Sequence, residues 1–158
     1  MEMFTSIGLG VVSGLLTTAL IFVLGLLVAK AFIPWYQQLI YNGIDLKGDW
    51  IEVKDLEGIK YQYQLNLEQS AHKLAGTMTL SKTGAGNDDY IQPFNVVGST
   101  WEGYVTLNFQ SKDSKSLSFA TSLLTVNNLG NNLKGYLVYR SRNNNEVGSE
   151  EIQWKRSG

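Results

Sequence analysis

The sequence predicts a mainly β protein: a single N-terminal transmembrane helix followed by a minimal eight-stranded antiparallel up-and-down β-barrel. Three observations carry that expectation. Residues 3–29 contain no charged side chain. From Gly48 onward, apolar and polar residues alternate with a period of two, the signature of half-buried strands. After Asp45 no stretch shows a helical period, and turn-rich pieces recur at short intervals.

A helix over residues 3–29 is about 40 Å long at ~1.5 Å per residue, against a hydrocarbon core of about 30 Å. It spans once, with tilt, and cannot span twice. A cleaved signal peptide is the alternative, and Ala29-Lys30-Ala31 resembles a cleavage site. Such a peptide wants a basic start and a much shorter apolar run, whereas this chain begins Met1-Glu2-Met3. Lys30, Trp35, Tyr36 and Tyr41 flank the C-terminal end of the span. Aromatics suit the headgroup level, and a lysine there favours the cytoplasmic side. The expected topology is N-terminus outside and β domain in the cytoplasm, with 1–33 the membrane helix, 34–47 an interfacial link and 48–158 the barrel. Ser6, Gly10, Gly14 and Thr18 recur every fourth residue. Small residues at that spacing form a flat stripe on which a second helix can pack, and they point to a homo-oligomer.

The strands follow in order. Gly48–Lys54 opens the set, and Tyr61, Tyr63, Leu65 and Leu67 then alternate with Gln62, Gln64, Asn66 and Glu68. Leu74-Gly76-Met78-Leu80, Tyr90–Ser99 and Trp101-Gly103-Val105-Leu107-Phe109 continue the pattern. Leu117-Phe119-Thr121-Leu123, Leu133-Gly135-Leu137-Tyr139 and Ile152-Trp154 complete eight. Closure removes exposed edges, which favours a barrel over an open sandwich. Leu46-Lys47-Gly48, Leu74-Ala75-Gly76, Val96-Val97-Gly98 and Leu133-Lys134-Gly135 place glycine near strand beginnings, where a tilted barrel needs close strand passage. Pro93 suggests an edge or irregular position.

From Gly48, 11 basic residues face 12 acidic ones, which argues against a duplex nucleic-acid binder. There is no cysteine and one histidine, His72, in a polar turn expected to be solvated. Neither a metal spacing nor a phosphate-cradling glycine loop is present. Asp88-Asp89 and Glu150-Glu151 are adjacent, so on a strand each pair points to opposite faces. An enzyme is not expected, nor is a metal or cofactor. The candidate ligand-binding residues are Trp50, Tyr61, Tyr63, Trp101, Tyr104 and Tyr136, with Arg140 and Arg142. Tyr90, Tyr139 and Trp154 belong to the same aromatic set. Rings stack on nucleobases and guanidinium forks suit phosphate. The alternative for each ring is core filling, since eight strands enclose just enough space for side chains or one small ligand.

The uncharged span, the link ending Leu46-Lys47-Gly48-Asp49-Trp50, and the openings Lys73-Leu74-Ala75-Gly76-Thr77 and Asn132-Leu133-Lys134-Gly135-Tyr136 together resemble a known family. It is the transmembrane-plus-β effectors of bacterial anti-phage defence, associated with cyclic-oligonucleotide (CBASS-type) systems. That resemblance implies a cytoplasmic barrel that senses a cyclic dinucleotide and controls assembly of membrane helices. The assembled helices disrupt the inner membrane and stop the infected cell. Many members carry two spans, whereas this chain has length for one. Lipocalins and avidins also open with Gly-x-Trp, so a membrane-tethered small-ligand carrier is a second reading, and a membrane scaffold subunit is a third.

Overall fold

The computed structural model describes residues 2–39, 41–56, 58–84, 89–113, 118–140 and 146–157. The chain divides into two compact units, Met1–Tyr41 and Asn42–Gly158.

The first unit is helical. α1 (Glu2–Leu27) passes through a π-helical turn (Val28–Phe32) into α2 (Ile33–Leu39). Among the described residues one helical stretch, Met3–Leu39, is long and apolar enough to cross a membrane. The π turn has an identifiable cause in Pro34, which lacks an N–H and whose ring collides with the carbonyl four residues earlier. Widening the ladder, so that the Ile33 N–H reaches Val28 O, absorbs the proline without ending the helix. The segment expected to form a separate interfacial link therefore stays helical as far as Leu39. In α1 the Thr17 and Thr18 hydroxyls donate to the Ser13 and Gly14 carbonyls, both at 2.9 Å, so neither polar group faces lipid unsatisfied. A Cβ added at Gly10 or Gly14 would meet nothing within 4 Å; the glycines of the stripe are open to a partner.

The second unit is a closed eight-stranded antiparallel barrel with strands in sequence order. They are β1 (Gly48–Leu56), β2 (Ile59–Ser70), β3 (Lys73–Gly84), β4 (Tyr90–Trp101), β5 (Tyr104–Ser111), β6 (Phe119–Asn127), β7 (Asn132–Arg140) and β8 (Val147–Arg156). Tyr63, Leu65 and Leu67 are buried while Gln64, Asn66 and Glu68 are exposed, as the alternation predicts. Leu117 and, in the turns, residues 85–88, 114–115 and 142–145 lie outside the described residues. The β4–β5 connection is a two-residue turn with positive φ at Glu102 and Gly103, the tight hairpin geometry that matches strand twist. Pro93 pairs with Thr79 on β3 and lies one residue beyond the first β4–β5 ladder pair, Phe94–Ser111, where its carbonyl accepts the Lys112 N–H at 3.0 Å.

The strand-opening glycines mark steric contacts. A Cβ at Gly76, Gly98 or Gly135 would lie 1.9, 2.0 or 2.1 Å from the Asn66, Thr106 or Leu123 carbonyl oxygen of the neighbouring strand. No side chain fits there. Gly48 serves a different need, with φ +136° and no close neighbour.

The two ends of the barrel differ. At the end where the chain enters, Leu46 plugs the interior and is fully buried. Its N–H donates to Gln69 Oε1 at 2.7 Å and its carbonyl accepts from Trp50 Nε1 at 3.1 Å. The Arg156 guanidinium lies 5.0 Å from the centre of the Trp50 ring. Trp50, Leu67, Leu74, Leu133 and Trp154 fill the space above this plug. The opposite end is open.

Candidate functional site

A cavity of about 400 Å³ occupies the open end. Its aromatic and apolar wall comes from Tyr61, Leu80, Phe94, Leu137 and Tyr139, with Met78 and Tyr63 deeper and Arg140 at the rim. These residues come from β2, β3, β4 and β7; all but Arg140 are inward-facing positions near the strand end, and Arg140 is an exposed, outward-parity residue at the last position of β7. Gln92, buried in the wall, donates to Ser111 Oγ at 3.3 Å.

Polar groups enter from the seam where β8 meets β1. Among the described residues that ladder comprises two residue pairs, Trp50–Arg156 and Ile51–Lys155, extended by Ser157 N–H donating to Asp49 O at 2.8 Å. Every other adjacent strand pair shares seven to twelve. Past Ile51 side chains take over from the ladder. The Glu52 carboxylate accepts the Gln153 backbone N–H. Lys54 Nζ donates to the Glu151 carbonyl, lies 3.2 Å from Glu150 Oε2 and 3.8 Å from Glu52 Oε1, and sits 5.7 Å from the Tyr63 ring centre. Tyr63 OH donates to Glu150 Oε1 at 3.0 Å. These side chains satisfy backbone groups that a full ladder would have paired.

Burial pushes the Glu52 carboxyl above the ordinary carboxylate value, and the nearby Glu150 charge adds to this; the Gln153 N–H and Lys54 only partly offset it. One Glu52 oxygen is buried without a hydrogen-bond partner. Tyr63 is pushed strongly upward by burial, then by the Glu150 carboxylate that holds its proton. The phenol therefore stays neutral and acts as a donor. Glu151, on the outer face, instead bridges to Lys134 at 2.8 Å.

Of the candidate ligand residues, Tyr61, Tyr63 and Arg140 come together at the cavity. Trp50 faces inward but lies at the plugged end. Trp101, Tyr104 and Tyr136 are 59%, 54% and 61% exposed on the outer surface and have no access to the interior. The two-residue turn resets the phase between β4 and β5. Trp101 therefore alternates with buried Thr100, and does not share a face with Val105 as expected. Tyr136 lies between inward Gly135 and Leu137. Arg142 and Asp88 are outside the described residues. His72 is not freely solvated: its ring stacks on Trp101 at 3.8 Å and 5°, and Nδ1 lies 3.0 Å from Thr100 O. Sequence reasoning missed Glu52, Lys54 and Glu150. Their signal was parity, since Glu52 and Lys54 share a face with Trp50, and Glu150 shares one with Ile152 and Trp154.

Among the described residues no group of His, Cys, Asp and Glu is arranged to hold a metal ion. Chemically, the recess offers stacking surfaces on its wall, a carboxylate acceptor deep inside and a guanidinium at its mouth. The chain joins one helix long and apolar enough to cross a membrane to a closed β-barrel with a recess at one end. No protein-family model, curated protein or solved structure matches the chain.

Proposed function

We propose that the chain is a non-enzymatic anti-phage effector whose barrel senses a cyclic dinucleotide and whose helix self-associates to disrupt the bacterial inner membrane. The observation that carries the sensing role is the recess itself. About 400 Å³ falls in the range of small-molecule sites, ~300–1,000 Å³, and its polar groups are ordered by depth. A nucleobase stacks against Tyr61, Phe94 and Tyr139, its exocyclic donors face the Glu150 carboxylate, and a phosphate at the mouth meets Arg140. The effector role rests on the resemblance of the whole chain and on the open Ser6–Gly10–Gly14–Thr18 stripe. The barrel is assigned to the cytoplasm from Lys30 and the aromatics that follow the span.

The test uses the full chain in nanodiscs, titrated with a panel of cyclic dinucleotides. A ligand at a hundredfold excess over its Kd stabilises the folded barrel by about 2.7 kcal/mol, which thermal unfolding resolves. Arg140→Glu is expected to weaken binding at least about tenfold, from the loss of a charge-assisted hydrogen bond. Membrane permeability in cells expressing the full chain, against a chain starting at Gly43, reads the effector role. No stabilisation by any cyclic dinucleotide, with equal leakage from both chains, would overturn the proposal. The carrier reading is favoured by the apolar share of the wall, Leu56, Leu80, Phe119 and Leu137; it predicts binding of an apolar fluorophore that Arg140→Glu leaves unchanged.

A further inference from the structure

The plugged end of the barrel carries exposed apolar groups that the recess does not use. At the β6–β7 connection Leu129 is 97% exposed and held at φ +53°, with Asn128 beside it at +50°. A leucine in the left-handed region is strained, and strain of this kind is a pointer to function. At the neighbouring β4–β5 tip stand Trp101 and Tyr104, both more than half exposed. The two tips are joined: Val126 N–H donates to Gly103 O at 2.8 Å. His72 stacks on Trp101, which fixes that ring.

The chain enters the barrel beside the same tips. Gly130 packs so closely on Ile44 that an added Cβ would come within 2.6 Å of Ile44 Cγ2, and Ile44 is itself exposed. Ile44 follows Leu39, the last residue of α2, by five residues. Five extended residues reach at most about 17 Å. That short tether leads into the end of the barrel that carries Leu129, Trp101 and Tyr104. At this end Lys47, Lys73, Lys155 and Arg156 stand with Asp45, Asp49, Glu68 and Glu102, so no single sign of charge dominates. Tryptophan and tyrosine are the residues of the headgroup level, and a projecting leucine seats in the acyl boundary.

We infer that the plugged end of the barrel is a lipid-contact surface, with Leu129 as its inserting residue and Trp101 and Tyr104 as interfacial anchors. This stands independently of which ligand occupies the recess. The chain has no cysteine, so Leu129→Cys and Val147→Cys each take a single fluorophore. Val147 is likewise exposed and apolar but lies at the open end. In the full chain reconstituted in phosphatidylcholine vesicles, shallow doxyl lipids should quench the label at 129 several-fold more than the label at 147. Replacing a fifth of the lipid with phosphatidylglycerol should leave that ratio unchanged. As a second readout free of any change at 129, the Trp35→Phe chain leaves Trp101 as the exposed indole beside buried Trp50 and Trp154. Brominated lipid should quench it, and Trp101→Phe in that background should remove the quenching. Equal doxyl quenching at 129 and 147, or label-to-label coupling at 129 in place of lipid quenching, would overturn the inference; the second result would put another copy of the chain on this tip.

Discussion

Replacing Lys54 by methionine keeps the aliphatic stem and removes the cation between Glu52 and Glu150. At separations of 3.8 and 3.2 Å the two attractions are each roughly 4–5 kcal/mol at an effective dielectric of about 20. Those are gross values. The side chains of Lys54, Glu52 and Glu150 keep 20%, 10% and 26% of their exposure, and water screens part of the interaction. Breaking such a pair from one side is therefore expected to cost about 2–4 kcal/mol, below or within the range for fully buried pairs. The pH dependence follows from Glu52. Its carboxyl is held above the ordinary value of 4.5, so the folded barrel binds that proton more tightly than the unfolded chain does. The resulting stabilisation is fully present below about pH 4.5 and is lost as pH rises through the raised folded value. Removing Lys54 takes away a group that lowers the Glu52 value, so in the variant the loss extends to higher pH. Urea unfolding of the full chain in detergent, followed by the fluorescence of buried Trp50 and Trp154, measures both forms at pH 7.5 and pH 5. The gap should be about 2–4 kcal/mol at pH 7.5 and clearly narrower at pH 5. A gap that does not change with pH would show that Lys54 acts by packing alone.

Gly135→Ala forces a Cβ to within 2.1 Å of the Leu123 carbonyl; the strands must part, at a cost of about 1–3 kcal/mol or more, and an unchanged melting temperature would contradict the close passage. Gly10→Ile with Gly14→Ile leaves the helix intact, since nothing lies within 4 Å of either position. It should abolish energy transfer between labelled chains in membranes, and persistent transfer would show that the stripe is not the packing surface. Ser122→Ala removes a buried hydroxyl with no hydrogen-bond partner and should raise the urea midpoint, by about 1 kcal/mol of stability; a loss would mean that the hydroxyl is paired.

The barrel was legible because two local rules agree along its length. Alternation fixes which residues face inward: Leu65 and Leu67 are buried and Asn66 is not, because a one-residue slip would expose the whole set. The large-x-Gly openings then report a contact between strands, not within one. At Gly76, Gly98 and Gly135 the neighbouring backbone occupies the place of a side chain, and a sequence can record that need only as a missing Cβ. The helical continuation past Pro34 was less legible. Proline predicts a break, and the π turn that accommodates it has no residue signature of its own.

The site was hidden for a more specific reason. Aromatic type alone does not separate the wall residues Tyr61 and Tyr63 from buried Trp50 or exposed Trp101, because rings serve equally as core, as surface and as wall. Charge at inward parity is a second selector. A carboxylate facing into a barrel must find donors or remain unionised, so Glu52, Lys54 and Glu150 on inward positions require a place where the backbone ladder is incomplete. Alternation states which face a residue takes but not how far its strand is paired. That extent is set by where β8 leaves β1, beyond Ile51 and Lys155. The same departure opens the barrel at one end, frees Gln153 N–H and Glu151 O for side chains, and places acidic and basic groups beside an aromatic wall. The recess and its polar cluster are thus two consequences of one truncated ladder. A substitution that extended the β1–β8 pairing would have to remove both together.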